Sequence, residues 1–526
     1  MFLLNWRNIY ICSIGLRFFF ALANSYIHPD EHFQAFEPLA ALIFGYNTHL
    51  PWEFTDAYPA RSMAPLFIVY YPMMLLACLA GLGPMQTWYL VRLTLMVVSW
   101  MVTDWVLYKM LPTKQERIKA IFFVLTSYVL LVYQSHTFSN SVETVLVMAV
   151  VYLINELRFL RSIPKEQYSV AEVAYAGLLI GALSAFGIFN RVSFPAFVLL
   201  PAIFLVGAAL QWPVLIPCLF GAFSFMTFCC VIVDTAFYQN IPVMTVLHEL
   251  GKRSWIGYTI TPLNNLVYNT LVDNLSTHGL HPYYTHVLIN LPQLLGPGLL
   301  FLFAKGKNVY WKTTPFLSAA GGALFLSLIP HQELRFLVPT VPLLCACFDL
   351  TVFERFTKLN VSLVSWTLNL WLLFNAALAV LMGVFHQGGV VPAMDYFHHM
   401  DSQPASIVFW RTYMAPTWML GDTNNSTQFA VINDDSALLV LDKSKLYTLV
   451  DTMGMLFETL QDVLNQSKQA LKELYVVMPI ASFSELFSEK QYELVWSYRY
   501  HMDLDHLDFS NLGSLQPGLG IYRSLL

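Results

Sequence analysis

Two adjacent carboxylates and two histidines follow the first apolar segment of the chain, in the run Ile27-His28-Pro29-Asp30-Glu31-His32. Carboxylates are costly inside a bilayer and are tolerated at its edge. Pro29 restricts the backbone here, because its ring fixes φ and removes a donor. A carboxylate held at this point can act as a general base on a hydroxyl group presented at the membrane surface. The alternative is that Asp30 only caps the helix that follows, with Glu31 in its first turn.

Other polar side chains are concentrated where predicted membrane helices end. Each one alone is more typical of a helix cap or an interfacial anchor. Together, on one side of the membrane, they predict a polar cavity that contains both acids and cations. The candidate substrate-binding residues of this cavity are His28, Arg61, Arg191, Asp234, His331, Glu333 and Arg335.

The cations of this set indicate a phosphate. Arginine binds phosphate with bidentate geometry, so Arg61, Arg191 and Arg335, together with His331, are candidates to neutralise a phosphate leaving group. A carboxylate base would take the proton of the attacking hydroxyl, while the cations stabilise the departing phosphate. This chemistry needs no metal ion or other cofactor, and none is predicted. The pattern Asp503-Leu504-Asp505 is interpreted as a surface feature of the tail.

The composition places these residues in a polytopic membrane protein. Of the 526 residues, 57% are hydrophobic and 12% are charged, whereas soluble domains carry about 25% charged residues. Lysines and arginines of short loops mark the cytoplasmic side, and they cluster at 109–119, 158–165, 305–312 and 355–358. The loops 28–61, 134–140, 189–194, 238–286 and 331–335, and everything after 385, are then predicted on the opposite side. The sequence has no basic patch of the kind that binds nucleic acid.

The elements that must position the site are mostly apolar helices, about 11 or 12 of them by length. The first, Ile9–Tyr26, contains Arg17, which should face protein rather than lipid. Residues 31–46 are predicted as a short helix at the interface, and 64–82 as a re-entrant or tilted segment with Pro72. The other predicted segments are 87–110, 119–134, 141–157, 172–189, 194–209, 214–234, 284–303, 314–330, 335–350 and 361–384.

The tail has the pattern of a small α/β domain. Phe429–Ile432, Ala437–Leu441 and Leu474–Ile480 are typical of strands, and Thr452–Leu474 of an amphipathic helix. We therefore predict a membrane domain over 1–385, with a catalytic loop at 27–64 and a second loop at 238–286, and a C-terminal domain over 386–526. Glycosylation motifs lie at Asn274, Asn424, Asn425 and Asn465 on the predicted lumenal side, and at Asn360 on the other.

Four motifs carry a resemblance to a known family: His28-Pro29-Asp30-Glu31, the run 136–144, Asp234-Thr235-Ala236-Phe237-Tyr238 and the run 331–336. Over residues 1 to about 420 they resemble the dolichol-phosphate-mannose-dependent mannosyltransferases of the endoplasmic reticulum, glycosyltransferase family 22. The resemblance implies the GT-C fold, lumenal chemistry and dolichyl-phosphate-mannose as donor. It also implies that Asp30 is the general base and that Glu31 orients the acceptor or Asp30. Which of the two acids is the base stays open.

Four further stretches, at 189–195, 261–266, 386–392 and 413–420, are most similar to family members that mannosylate the glycosylphosphatidylinositol (GPI) precursor. They imply that the GPI precursor is the acceptor, with an inverting transfer that forms an α-1,2 bond to its third mannose. Sister members that add the third GPI mannose, or that extend dolichol-linked oligosaccharide in α-1,2 or α-1,6 linkage, are the alternatives.

Two alternatives come from other classes of protein. A secondary transporter also carries polar groups in membrane helices, but it commonly shows inverted repeats and broken helices in corresponding halves, and the sequence shows neither. A scaffold that presents the tail domain would leave the polar helix ends unexplained. A mannose-transfer assay distinguishes all three classes.

Overall fold

The computed structural model of the chain describes residues 6–164, 167–252, 257–276, 279–302, 309–350, 362–400, 404–432, 442, 444–468, 473–487, 490–507, 510 and 512–525. The chain forms two compact units. The first unit contains Met1–Arg17, Trp52–Val69 and Leu95–Ala377. The second unit contains Phe18–Pro51, Tyr70–Thr94 and Leu378–Leu526. The second unit therefore joins two N-terminal segments to the C-terminal part of the chain. The predicted division into a domain over 1–385 and a domain over 386–526 stays a prediction.

The chain is a multi-pass membrane protein. In the described residues, four single helices are long and apolar enough to cross a membrane: Pro84–Met110, Val170–Asn190, Leu215–Tyr238 and Val364–Phe385. A further candidate is a helix pair, Lys114–Thr126 and Tyr128–Ser135, that is bent by 70°. Apart from 141–157, which is one long helix, the other predicted segments consist of shorter helices, so the number of spans stays a prediction.

The remaining helices of the first unit include one long helix, Ser139–Leu160, which matches the predicted segment 141–157. Trp6–Leu22 starts in this unit and ends in the second. The shorter helices, some of them 3-10 or π, are Trp52–Phe54, Ala64–Val69, Phe194–Val198, Ile203–Gln211, Val243–Gly251, Thr261–Thr270, Val272–Ser276, His286–Asn290, Leu291–Leu295, Gly296–Leu302, Val309–Lys312, Thr314–Ser327, Leu334–Leu337 and Thr340–Cys347.

Two membrane helices of the first unit pack closely because glycines lie between them. A Cβ atom on Gly181 of Val170–Asn190 would overlap the carbonyl oxygen of Leu219, on Leu215–Tyr238. Small residues allow such close approach of helix backbones in membranes.

Arg17 faces protein, as predicted. Its guanidinium lies 3.7 Å from the carboxylate of Asp104 and 5.5 Å from the ring centre of Trp100. The ion pair and the aromatic contact satisfy a charge that lipid would penalise.

The segment 64–82 is two helices, Ala64–Val69 and Tyr71–Leu79, with a break at Tyr70. Pro72 lies in the first turn of the second helix, where its missing N–H has no cost.

The predicted helix at 31–46 is confirmed as a π-helix, His32–Phe36, that continues as Glu37–Phe44. It ends at Gly45, whose φ of 69° is left-handed.

The second unit also contains a six-stranded sheet. Its strands are β1 (Ala405–Phe409), β2 (Thr427–Val431), β3 (Tyr447–Asp451), β4 (Glu473–Pro479), β5 (Tyr492–Tyr498) and β6 (Leu519–Ser524). Their order is β2-β3-β1-β4-β6-β5, with the first four parallel and β6 antiparallel to both neighbours. The helices of the second unit after residue 380 are Leu381–Phe385, Val390–His398, Thr417–Leu420, Phe457–Lys468, Ile480–Leu486 and Leu512–Leu515.

The predicted strands at 429–432 and 474–480 are confirmed as β2 and β4, and Ala437–Leu441 lies outside the described residues. The predicted helix starts later than expected, at Phe457, because the chain first completes β3. Leu474 belongs to β4 and not to that helix. Leu460, Val463 and Leu464 of the helix are buried in the core of the sheet domain.

Candidate active site

Residues 27–37, called here the acid segment, lie in the second unit. They follow the first helix, which ends at Leu22. Asp30 is partly exposed, with 17% of its side chain accessible. One of its carboxylate oxygens lies 3.4 Å from Nδ1 of His28, and its backbone N–H donates to the same nitrogen at 3.2 Å. Asp30 is therefore an accessible carboxylate whose side chain is placed beside an imidazole.

Glu31, next in the chain, is fully buried. Its Oε1 atom accepts the backbone N–H groups of Ile27, at 2.6 Å, and of His28, at 3.1 Å. Burial raises the pKa of Glu31 to about 8, although the Arg92 guanidinium and these hydrogen bonds oppose the shift. The geometry makes Glu31 a side chain that holds the turn containing Asp30.

A second buried acid fixes the other end of this segment. Glu37 accepts the backbone N–H of Thr417 at 2.6 Å and of Trp418 at 3.2 Å on one oxygen, and the Thr417 hydroxyl at 2.7 Å on the other. Burial raises its pKa to about 8 against these hydrogen bonds. The sequence interpretation missed this role, because the partners lie 380 residues away in the chain.

Aromatic side chains surround His32. Its Nδ1 accepts the indole N–H of Trp418 at 3.1 Å, and its ring meets that of Tyr26 edge-on at 4.9 Å. Burial lowers the pKa of His32 to about 3, so the ring is neutral. His32 is therefore a packing residue of the acid segment and carries no charge at neutral pH.

Arg92 is a second functional candidate that sequence reasoning missed. Its guanidinium donates to the carbonyl oxygens of Ala23, at 2.7 Å, and Phe20, at 3.1 Å, and stacks 4.5 Å from the ring centre of Trp88. The last carbonyls of a helix lack intrahelical partners, so Arg92 satisfies the end of the first helix. An ionisable residue inside a predicted span was the available signal.

The first unit places His331, Glu333 and Arg335 together. Nε2 of His331 lies 2.8 Å from one oxygen of Glu333, and Nε of Arg335 contacts the other. Nδ1 of His331 lies 3.0 Å from the Gly279 carbonyl oxygen. Both ring nitrogens thus face acceptors, which requires both to carry protons. Burial alone would lower the pKa of His331, but these hydrogen bonds outweigh it and raise that pKa.

This arrangement is a cationic cluster, because one carboxylate lies between two cations. Arg191 also approaches it, since its guanidinium carbon lies 5.1 Å from the ring centre of Phe336, against 5.7 Å for Arg335. Arg191 forms a buried ion pair with Glu143 at 3.4 Å, and Ser193 donates its hydroxyl to the same acid at 2.6 Å. The charge of Arg191 is therefore paired with the carboxylate of Glu143.

Asp234 is fully buried and saturated with donors. It accepts the Ser62 hydroxyl at 2.9 Å, the backbone N–H of Met63 at 2.8 Å and the Thr261 hydroxyl at 2.7 Å. Through these hydrogen bonds, Ser62 and Met63 are held against the helix Leu215–Tyr238, on which Asp234 lies. The geometry gives Asp234 a positioning role in the first unit.

Arg61 lies in the same loop and pairs with Glu53, at 3.1 Å. The Tyr238 hydroxyl donates to the Arg61 carbonyl oxygen at 2.5 Å. Arg61 therefore belongs to the framework of the loop rather than to the cluster around Glu333.

The sequence-predicted residues thus fall into two sets. His28, Asp30 and Glu31 belong to the second unit, and the other six belong to the first. In the described parts of the chain, no three His, Cys, Asp or Glu side chains gather as a set able to hold a metal ion.

Comparison with known proteins gives three findings. The model of the Alg9-like mannosyltransferase family matches residues 8–421. The chain is 48% identical over 538 residues to GPI mannosyltransferase 4 of Debaryomyces hansenii, with 99% of both chains covered. It is 44% identical over 523 residues to GPI mannosyltransferase 4 of Candida albicans, again with 99% of both covered.

A solved structure supports the fold. The crystal structure of ArnT from Cupriavidus metallidurans bound to undecaprenyl phosphate matches with a TM-score of 0.52 and 12% identity, covering 98% of this chain and 97% of that chain. The predicted GT-C fold with a small C-terminal sheet is confirmed.

Proposed function

We propose, from the premise that this chain belongs to the Alg9-like mannosyltransferase family, that it transfers mannose to the GPI precursor. The enzyme class follows from the family, and the acceptor is suggested by relatives that are named GPI mannosyltransferase 4. The donor that we propose is dolichyl-phosphate-mannose, and the product is an α-1,2 bond to the third mannose of the precursor. We place the reaction on the lumenal side of the endoplasmic reticulum membrane.

In the proposed reaction, the acceptor hydroxyl oxygen attacks the anomeric carbon of the β-linked donor. The bond from that carbon to the phosphate oxygen breaks, and dolichyl phosphate leaves with the bonding electrons. The hydroxyl proton passes to the carboxylate of Asp30. Attack opposite the leaving group inverts the anomeric centre and gives the α-linkage.

We choose Asp30 as the base because its side chain is more exposed than those of the neighbouring acids Glu31 and Glu37. Asp30 has 17% of its side chain accessible, whereas Glu31 and Glu37 are fully buried. A general base must come within hydrogen-bond reach of the hydroxyl that it deprotonates. The accessible carboxylate of Asp30 is open to such a hydroxyl, which supports its choice as the base. We assign to Glu31 and Arg92 the role of positioning the turn that carries it.

For the donor phosphate, we propose His331 and Arg335. The two side chains lie on either side of Glu333, and the hydrogen bonds of His331 raise its pKa, which favours the cationic imidazole. Positive groups placed where charge develops on a leaving group lower the barrier to its departure. Arg191 and Asp234, which are paired within the protein, are proposed to support this region rather than to contact the phosphate.

The test is mannose transfer by purified protein with dolichyl-phosphate-mannose and defined acceptors side by side. We expect a labelled product only with the three-mannose GPI glycan, cleaved by an α-1,2-specific mannosidase. Transfer to a two-mannose GPI glycan or to dolichol-linked oligosaccharide would instead favour a sister reaction. No transfer to any acceptor by folded protein would contradict the proposal.

A further inference from the structure

A cavity of about 150 Å³ lies in the sheet domain of the second unit, away from Asp30 in the chain. Arg411, two residues after β1, and Pro479 and Ser482, at the end of β4, form one side of it. His501 and Asp503, from the segment after β5, form another. A water molecule takes up about 30 Å³ in the liquid, so the cavity has room for about five water-sized groups.

The place of this cavity in the sheet is that of a ligand site. β1 and β4 are parallel neighbours in the sheet. After β1, the chain forms β2 and β3, which both lie on the side of β1 away from β4. The chain then crosses to β4 on the opposite side of β1. In open sheets with parallel strands, ligands bind beyond the carboxyl ends of the strands where the connections change direction. Arg411 and Pro479 lie at those two carboxyl ends.

His501 presents an unsatisfied donor in this cavity. It is fully buried, and its Nδ1 accepts the backbone N–H of Gly389 at 3.2 Å. Burial lowers the pKa of His501 to about 3, so the ring is neutral. With Nδ1 acting as acceptor, the single proton of the neutral ring must be on Nε2. That N–H has no acceptor among the residues that the structure describes, and an unsatisfied buried donor is costly.

Arg411 supplies a second unsatisfied donor. Its Nε is buried without an acceptor, while one Nη donates to the Ser482 hydroxyl at 3.3 Å. The guanidinium stacks 4.5 Å from the ring centre of Trp410, which fixes its plane. The backbone of Arg411 has a φ of 54°, a left-handed conformation that is uncommon outside glycine and that clusters at functional sites.

Among the described residues of the cavity wall, the acid is Asp503, and it is paired with His506. Asp503 contacts Nδ1 of His506 at 2.5 Å with one oxygen, and accepts from Gln387 and from the backbone N–H of Asp505 with the other. The hydrogen bond to Asp503 raises the pKa of His506, even though burial opposes the shift. Arg411 forms no ion pair with any of the described residues, so it brings a positive charge to the wall.

We propose that this cavity is a binding site for a phosphate group, held by the Nε–H of Arg411, the Nε2–H of His501 and the hydroxyl of Ser482. The N–H groups of Arg411 and His501 have no acceptors among the described residues, and Arg411 also carries a positive charge. Both side chains line a cavity that is large enough for several oxygen atoms. A phosphate supplies acceptors in all directions and a negative charge, and arginine recognises it with a planar fork. The group is a free phosphate or the phosphodiester of a lipid head group.

The experiment is thermal unfolding of the full-length protein in detergent with added sodium phosphate or glycerophosphoethanolamine. Sodium chloride at equal ionic strength is the reference, since it screens charge without filling the site. Binding to the folded state raises the melting temperature with ligand concentration. A response to phosphate alone supports a free-phosphate site, and a response to the phosphodiester supports a head-group site. No response to either probe beyond that to chloride would overturn the proposal.

Variants separate this site from general salt effects. Arg411→Gln should weaken the apparent affinity about tenfold or more, because hydrogen bonds to charged groups contribute that much. Arg499→Gln, at an exposed arginine of the same unit, is the matched control and should respond like the wild type. Ser482→Ala removes one donor with little change of shape and should also weaken binding if Arg411→Gln fails to fold. Equal affinity of the wild type and a folded variant at either position would also overturn the proposal.

Discussion

The Oε1 atom of Glu31 accepts the backbone N–H of Ile27 at 2.6 Å, and this hydrogen bond closes the turn that carries Asp30. The two neighbouring acids therefore differ in environment, since one is fully buried and the other is accessible. A short range of sequence thus contains a buried supporting acid and, beside it, the accessible carboxylate that we propose as the base.

The first prediction concerns the pH dependence of stability. Burial raises the pKa of Glu31 from 4.5 to about 8, so the folded protein prefers the protonated acid. The stabilising contribution is fully present below pH 4.5 and is lost as the pH rises through about 8. Between these values each such group contributes a slope of about 1.4 kcal/mol per pH unit. Glu31→Gln should flatten the fall in melting temperature with rising pH, leaving the part that comes from Glu37.

The control for this measurement is Glu493→Gln. Glu493 is exposed and pairs with Arg523 at 2.6 Å, so its replacement should leave the slope of the wild type unchanged. Parallel curves for the wild type and for Glu31→Gln would show that the pKa of Glu31 is the same in the folded and unfolded protein, which would contradict the prediction.

The second prediction concerns the donor phosphate. Arg335→Lys keeps the charge but loses the planar fork, so we expect a large loss of transfer. Removal of one contact to a developing charge costs on the order of a hundredfold or more, and Arg335→Ala should reach that range. The matched control is Arg158→Lys, at a guanidinium that donates to the Lys312 carbonyl oxygen. Normal turnover and donor affinity in folded Arg335→Ala would contradict the assignment.

The third prediction concerns membrane orientation. If the C-terminal domain lies in the lumen, as proposed, Asn424 and Asn425 are open to glycosylation, since both side chains are exposed. Asn360, outside the described residues, should carry no glycan. Sensitivity to endoglycosidase can be read on variants that each keep a single acceptor asparagine. A glycan at Asn360 would reverse the proposed orientation.

The fourth prediction concerns metal ions. The proposed reaction uses a carboxylate base and cationic side chains, so transfer should continue in the presence of EDTA. Purified enzyme dialysed against the chelator is compared with enzyme given manganese or magnesium. Activity that disappears with EDTA and returns with manganese would assign Asp30 and Glu31 to a metal site instead.

Much of the fold follows from local sequence. The long apolar runs predict the membrane helices, and the cost of a charge in lipid predicts that Arg17 faces protein, where it meets Asp104. Strands β2 and β4 follow from apolar runs in the tail. Strands β1 and β3 were not predicted, although they are as long as β2. Their place depends on pairing with each other and with β2 and β4, which come from other parts of the chain.

The sequence predicted those candidate site residues that can be recognised from their type and their position in the chain. The Asp30 segment has both, since an acid pair follows an apolar helix. The roles of Glu37 and Arg92 depend on partners from distant segments, such as Thr417 for Glu37 and the helix-end carbonyls for Arg92. No local pattern encodes such partners, so tertiary structure was needed to find them.

The central claim is that Asp30 is the general base, and the most direct measurement is mannose transfer by folded Asp30→Asn enzyme. Asparagine keeps the shape and caps a helix as well as aspartate does, but it cannot take a proton. General-base assistance contributes about a hundred- to ten-thousandfold, so transfer should fall by that order while donor binding is unchanged. Asp395→Asn, at a partly exposed acid of the same unit, should retain full activity. Full activity of Asp30→Asn would contradict the account and leave Asp30 as a helix cap.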